Sequence, residues 1–342
     1  MSNRKIREAL PKLQATDPEI FYNRRQFVKQ IAGAGALTMA IPGLQAQQKV
    51  RTPLDLPFER KDVFPAKRNP KFNDKKLKET ERIVAATHNN FYEFLPGRGG
   101  PAWLFTEDFK VDPWTIEIGG ECKKPFKIDL DDLFKFTHEE RLYKFRCVET
   151  WAMNIPWTGF PLADLLKKAE PTAKAKHVRF ITANKLAEMP GLSSKGYPWP
   201  YHEALRIDEA MNPLAMVATG VYGKPLLKQH GAPARIVVPW KYGYKNPKSI
   251  VKIEFLEKQP LTFWARAPYS HEYGYLSNVN PNIPHPRWSQ QMDRMLEKNT
   301  DIRSGTKRKT LIFNGYEEFV GKMYPDEPRK LQQALKQGDT AR

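Results

Sequence analysis

The stretch Arg141-Leu-Tyr-Lys-Phe-Arg-Cys147 constrains this chain more than any other. Its side chains alternate: Leu142, Lys144 and Arg146 fall on one side, Tyr143, Phe145 and Cys147 on the other. A period of two predicts a β-strand. It places one of only two cysteines on the aromatic face at the strand's end, where sites are commonly mounted. Cations precede the thiol (Arg141, Lys144, Arg146), and Trp151 and Trp157 follow it. Nearby positive charge favours a thiolate, the form that binds metals, and soft thiolates suit softer transition metals. A small buried hydrophobe is the other reading of such a cysteine. Local composition leaves both open.

The rest of the chain narrows the class. Asn23-Arg24-Arg25-Gln26-Phe27-Val28-Lys29 is followed by an apolar run rich in Gly and Ala, Ile31 to Pro42, and a cleavage site is expected after Ala46. An arginine pair before a short apolar run reads as a twin-arginine export signal, and the run is too short to span a bilayer. Residues 1–46 are therefore expected to be removed, and the protein to be exported, already folded, to the periplasm. The leader accounts for +4 of the net +18, so the mature chain of 296 residues carries +14. These charges are scattered among aromatics and prolines. That pattern, without zinc-finger or RNA-binding spacing, argues against a nucleic-acid partner. Neither Gly-x-Gly-x-x-Gly nor a Walker lysine is present, which disfavours dinucleotide or nucleoside triphosphate ligands. No Gly-x-Ser-x-Gly elbow supports a hydrolase. The seven histidines show no zinc-ligand pairing and there is no Cys-x-x-Cys, so neither a structural zinc nor a haem attachment is expected. Pairing of Cys122 with Cys147 in an oxidising compartment is conceivable, but it would consume the ligand.

Along the mature chain, 47–80 reads as an extended surface segment and Glu79 to Thr87 as a short helix. It leads into Asn89-Asn90-Phe91-Tyr92-Glu93-Phe94, two amides followed by aromatics, suited either to turn chemistry or to a polar heterocycle. Short strands are expected at 114–118, 127–130, 177–182, 214–218, 235–239 and 250–255. Helices are expected at 161–169 and 201–211. Thr182 ends its strand and by residue type is a β-favouring surface threonine. In 228–250, the Gly231-Ala-Pro233 loop, Arg235 and Lys241, Lys245 and Lys248 combine close backbone approach with phosphate-neutralising charge; a basic solvated hairpin explains them equally. The aromatic, proline-rich stretch from Phe263 to Trp288 reads as a functional or packing loop. Thr310 to Phe313 should close the core, and 326–342 reads as a charged tail.

Taken together, four segments resemble one family. They are Phe145-Arg-Cys147-Val-Glu-Thr-Trp-Ala-Met-Asn-Ile-Pro-Trp-Thr-Gly-Phe-Pro161-Leu, His88-Asn-Asn-Phe-Tyr-Glu-Phe94, Gly231-Ala-Pro-Ala-Arg235 with Val238-Pro-Trp-Lys-Tyr-Gly-Tyr-Lys245, and Phe313-Asn-Gly-Tyr316. The chain resembles the catalytic subunits of the bacterial periplasmic protein-methionine-sulfoxide reductases, molybdopterin enzymes of the sulfite oxidase fold. The resemblance implies molybdenum ligation by Cys147. It implies molybdopterin contacts at Asn89, Tyr92, Glu93, Thr182, His230, Arg235, Asn246, Pro247 and Lys248. His230 stands where the family pattern has Asn, so this contact changes character.

The expected fold is α+β: mostly short strands with peripheral helices, a sulfite-oxidase-like molybdopterin domain over 81–325. The expected activity is reduction of methionine sulfoxide in oxidised periplasmic proteins by oxygen-atom transfer. Electrons would come from a haem-containing membrane subunit fed by the quinone pool, because no haem is expected in this chain. Sulfite oxidation is disfavoured, since Val-Glu-Thr-Trp after Cys147 lacks the arginines that hold an anionic substrate. Reduction of small S- or N-oxides on the same cofactor, and a non-enzymatic basic binding protein with a structural Cys147, remain the rivals.

Overall fold

A computed structural model describes residues 51–97, 100–266, 272–298 and 301–330. The expected leader (1–46) and the end of the charged tail (331–342) lie outside the described residues. In chain order the strands are β1 (Thr115–Gly120), β2 (Phe126–Asp129), β3 (Glu139–Arg146), β4 (Trp151–Pro161), β5 (His177–Thr182), β6 (His202–Arg206), β7 (Met216–Val221), β8 (Lys224–Pro225), β9 (Arg235–Val237), β10 (Ile250–Leu256), β11 (Met292–Met295) and β12 (Thr306–Lys309). The helices are short: α1 (Arg82–Thr87), α2 (Leu130–Phe134), α3 (Leu162–Lys168), α4 (Ile207–Ala210), α5 (Phe263–Arg266) and α6 (Glu317–Val320). This is the expected α+β architecture. None of the described helices is long and apolar enough to cross a membrane.

The strands form two sheets. One has five strands in the order β2-β1-β10-β5-β6, antiparallel except for the β1–β10 pair. The other has seven: β12-β11-β4-β7-β8, with β3 on β4 and β9 on β7. Strand β4 is its hub, pairing with β3, β7 and β11. Every residue of β4 but Pro161 is buried. That explains why Trp-Ala-Met-Asn-Ile-Pro-Trp-Thr-Gly-Phe-Pro gave no alternating signal: a strand covered on both faces reads as a continuous apolar run. Gly159 is required where β4 shifts register against β7, because a Cβ there would lie 2.0 Å from the Val217 carbonyl oxygen.

Other elements follow simple local rules. Asp129 caps α2, its Oδ1 accepting from the Asp132 amide at 2.8 Å, with Asp131 and Asp132 in the first turn. In α3, Leu162, Leu165 and Leu166 face the core, and Lys167 and Lys168 sit at the negative end of the helix dipole.

Two expectations are corrected. Residues 201–211 are not one helix: His202–Arg206 pairs with β5 and only Ile207–Ala210 turns helical. Burial of His202 to Leu205 against β5 overrides the helix-like spacing. Likewise the strand expected at 214–218 runs instead over Met216–Val221, where Gly220 and Val221 pair with Pro225 and Lys224. Phe313 does enter the core, but in a tight turn with left-handed backbone at Phe313 and Asn314. The start of the supposed tail is anchored, since Glu327 accepts from Asn278 and Asn280.

Candidate active site

Three segments converge on one cavity. The first is the loop after α1. The exposed carbonyls at the end of α1 are capped from inside the protein: Ala86 O accepts from Asn89 Nδ2 at 3.3 Å and from Gln229 Nε2 at 3.2 Å, and Ala85 O accepts from His230 Nε2 at 2.9 Å. Because a carbonyl only accepts, the His230 proton sits on Nε2, and Nδ1 is a buried acceptor without a partner in the protein. Burial holds His230 down to about 4, so it is neutral. An imidazole here therefore offers the cavity an acceptor rather than a replacement amide donor.

The second segment is the turn after β3. Cys147 is 6 % exposed and lines the cavity with Val148, Glu149 and Trp151. Asn90 Nδ2 donates to Glu149 Oε2 at 3.0 Å and lies 3.9 Å from Cys147 Sγ. Both cysteines are free. The expected cationic depression of the Cys147 thiol is overturned. Burial pushes it well up, the Glu149 carboxylate adds to that, and Arg146 and Lys248 pull back too weakly to compensate. Burial thus favours the thiol form of Cys147, and a bound metal's positive charge would favour the thiolate.

The third segment runs from 229 to 248. Gly231 adopts φ +95°, and a Cβ there would lie 2.6 Å from Lys248 Cβ, so the glycine lets this loop close against Lys248. Arg235 is buried, donating to His230 O at 2.9 Å and Asn246 O at 3.2 Å, with its guanidinium 4.7 Å above the Trp157 ring. Lys248 Nζ donates to Asn90 O at 2.6 Å. Neither cation has a carboxylate within ion-pair distance among the described residues. Burial draws Arg235 down to about 9 and Lys248 to about 7, and the Arg235 charge adds to the lowering of Lys248. Burial likewise raises Glu93.

Nine of the ten residues singled out in the sequence line this cavity: Asn89, Tyr92, Glu93, Cys147, His230, Arg235, Asn246, Pro247 and Lys248. Thr182 does not. It stands one layer behind, its hydroxyl donating to Glu93 Oε1 at 3.0 Å. Asn246 lines the cavity, but its amide is used internally, accepting from Val238 N at 2.6 Å and donating to Tyr242 O at 3.2 Å. Sequence reasoning missed Glu149, Trp151 and Trp157 as wall residues, although they lie in the stretch that drew attention to Cys147. It also missed Trp264 and Tyr273, which come from the aromatic segment after 263 and pack at 5.0 Å.

Polar atoms left without partners define what the cavity fits. Asn89 Oδ1, Asn90 Oδ1, His230 Nδ1, Arg235 Nε and the indole nitrogens of Trp151, Trp157 and Trp264 are buried and unbonded within the protein. Such groups cost about 1–3 kcal/mol each when left unmet. Around a cavity that also holds Arg235 and Lys248, which make no ion pair among the described residues, they suit a polar heterocycle bearing an anionic group. No three His, Cys, Asp or Glu side chains converge as a metal set among the described residues. Cys147 would thus be the protein's single ligand to a metal brought by that heterocycle.

Residues 104–264 match the family model described as "Oxidoreductase molybdopterin binding domain". Fold and cavity together define a molybdopterin-binding oxidoreductase. The protein-methionine-sulfoxide reductase catalytic subunit MsrP of Burkholderia mallei is 44 % identical over 324 residues, covering 92 % of this chain and 93 % of that protein. The subunit of the same name from Xanthomonas axonopodis pv. citri is 44 % identical over 317 residues, covering 92 % and 95 %. That from Pseudomonas syringae pv. tomato is 51 % identical over 243 residues, covering 70 % and 71 %. The chain belongs to the family of protein-methionine-sulfoxide reductase catalytic subunits.

Proposed function

We propose that this chain reduces methionine sulfoxide in oxidised proteins of the periplasm, with electrons delivered by a haem-containing membrane subunit that draws on the quinone pool. The observation that carries the reading is the convergence of a buried cysteine, two cations without an ion pair among the described residues and a set of unbonded polar atoms around one cavity. A molybdenum–molybdopterin centre bound there supplies oxygen-atom and electron transfer between the sulfoxide and the electron donor.

The residues of the chain bind, orient and shield. Arg235 and Lys248 neutralise the anionic end of the pterin, and Lys248 is charged fully once a phosphate offsets its burial. Asn89 Oδ1, Asn90 Oδ1 and His230 Nδ1 would be available to accept, and the indoles of Trp151 and Trp157 to donate, hydrogen bonds to the bound group. Cys147 anchors the metal. Glu93, held by Thr182, would stand beside Lys248 in the cavity that receives the pterin. Phe145, Met153, Ile155 and Trp157 keep water from the inner wall.

Export rests on Arg24-Arg25 and the apolar run after them; replacing both arginines with lysine and fractionating cells should leave the precursor in the cytoplasm. The decisive assay is oxidation of reduced viologen by free and protein-bound methionine sulfoxide, using protein exported with its own leader, beside a Cys147→Ala control. Turnover lost in the control supports the reading. Bound molybdenum without turnover on either oxidant overturns the substrate, and protein devoid of molybdenum overturns the cofactor.

A further inference from the structure

Behind the cavity, the turn that carries Cys147 is held from the side away from the cofactor. Cys147 O accepts from the Thr150 amide at 3.0 Å and from the Arg146 guanidinium. Val148 O accepts from Trp288 Nε1 at 2.9 Å and from Gln290 Nε2 at 2.8 Å, and Thr150 O accepts from the Arg294 amide at 2.8 Å. Thr150 sits at φ 73°, a conformation costly for a β-branched residue. These bonds, drawn from the 288–294 segment, sustain it.

Arg146 is the only charged member of this clamp to reach the cysteine itself. Its side chain is 0 % exposed and also donates to Gln290 Oε1 at 2.8 Å. The nearest carboxylate, Asp293, is 3.5 Å from Arg146 Nε and is already engaged by Arg308, whose Nε donates to Asp293 Oδ1 at 2.6 Å. Two guanidiniums thus share one carboxylate. The cluster carries one positive charge in excess behind the metal-binding turn, with Arg146 and Asp293 buried and Arg308 partly exposed.

We infer that Arg146 is a positioning residue that fixes the Cys147 turn from behind, and that the surplus charge of the Arg146–Asp293–Arg308 cluster raises the reduction potential of the centre Cys147 holds. The inference rests on Cys147 being the metal ligand. A fixed positive charge in a low-dielectric site stabilises the more electron-rich state of its neighbour. Reduction of the metal by one electron from the donor is favoured accordingly, with no atom transferred at this step.

The test is a redox titration of the loaded enzyme, following the paramagnetic molybdenum signal. Arg146→Gln should move the midpoint to more negative potential and broaden the signal as the turn loosens; Arg146→Lys should restore part of both. Arg308→Gln, at a partly exposed residue, should give a smaller negative shift, and Asp293→Asn a positive one. Opposite signs for Arg308→Gln and Asp293→Asn mark a charge effect, because mere loosening of the clamp would move both alike. Unchanged midpoints, or shifts of the same sign, would overturn the inference, and these two variants decide it even if Arg146→Gln does not load. A molybdenum signal that survives unaltered in Cys147→Ser would instead overturn the ligand assignment on which the inference stands.

Discussion

Within fourteen residues the segment from Arg235 to Lys248 holds four cations, three buried and Lys248 partly buried, and treats them in two ways. Lys241 is 2.8 Å from Glu209, and Lys245 is 2.6 Å from Glu203, all four side chains at most 1 % exposed. Arg235, 4 % exposed, and the partly buried Lys248 have only carbonyl oxygens as hydrogen-bond acceptors. Burial costs a charge several kcal/mol unless it is paired. The paired cations join the loop to β6 and α4 whatever the cavity contains; the unpaired ones leave a cost that an incoming anion removes. Lys241 still falls to about 8, burial outweighing Glu209. On Glu209 burial pushes upward, and Lys241 with Tyr324 overrides it, holding the carboxyl below its usual range.

Breaking a pair should therefore cost folding, whereas removing an unpaired cation should cost cofactor. Glu209→Gln leaves Lys241 buried without its counter-charge, so a loss of about 3–5 kcal/mol is expected in denaturant unfolding of the cofactor-free protein. Arg235→Met should leave that unfolding midpoint unchanged or raise it, while molybdenum and pterin content fall by about 10–100-fold, the value of one or two charge-assisted hydrogen bonds. If Arg235→Met unfolds as readily as Glu209→Gln, the distinction between the two kinds of cation collapses.

His230 sharpens the comparison through pH. Its value of about 4 lies below the unfolded 6.5, so the unfolded chain takes up the proton first as pH falls. Stability of the cofactor-free protein should decline between pH 6.5 and 4 by up to about 3 kcal/mol from this group, and flatten for it below. His230→Asn should remove that part of the slope. The smallest effect is expected for Thr182→Val. Loss of the donor to Glu93 should cost about 1 kcal/mol of stability. Cofactor content should be preserved, because Thr182 stands behind the wall.

What could be read in the sequence, and what could not, follows the same physics. Strands with one covered face, such as Thr115–Gly120 and His177–Thr182, alternate in burial and were legible. The doubly covered β4 and the His202–Arg206 strand were not, since burial on both faces erases the period. Cavity residues were legible where they lay in compact motifs around Asn89, Cys147 and Arg235. Trp264 and Tyr273 were not, because an aromatic loop without periodicity gives no direction to its rings. The ionisation of Cys147 was misread for a related reason: sequence shows which charges are near, but not how much water is removed.

The position of the cysteine turn also sets a schedule for making the enzyme. The turn opens strand β4, and β11, which pairs with Trp151 and Ala152 through Arg294 and Met295, is encoded more than a hundred residues later. On a growing polypeptide the cysteine therefore emerges from the ribosome long before the strand and the Trp288–Gln290 segment that pin it. Contacts so distant in sequence form late. The turn that presents Cys147 is completed only once residues 288–294 have been made. A nascent fragment ending before residue 288 would display its metal ligand on a turn that nothing yet holds.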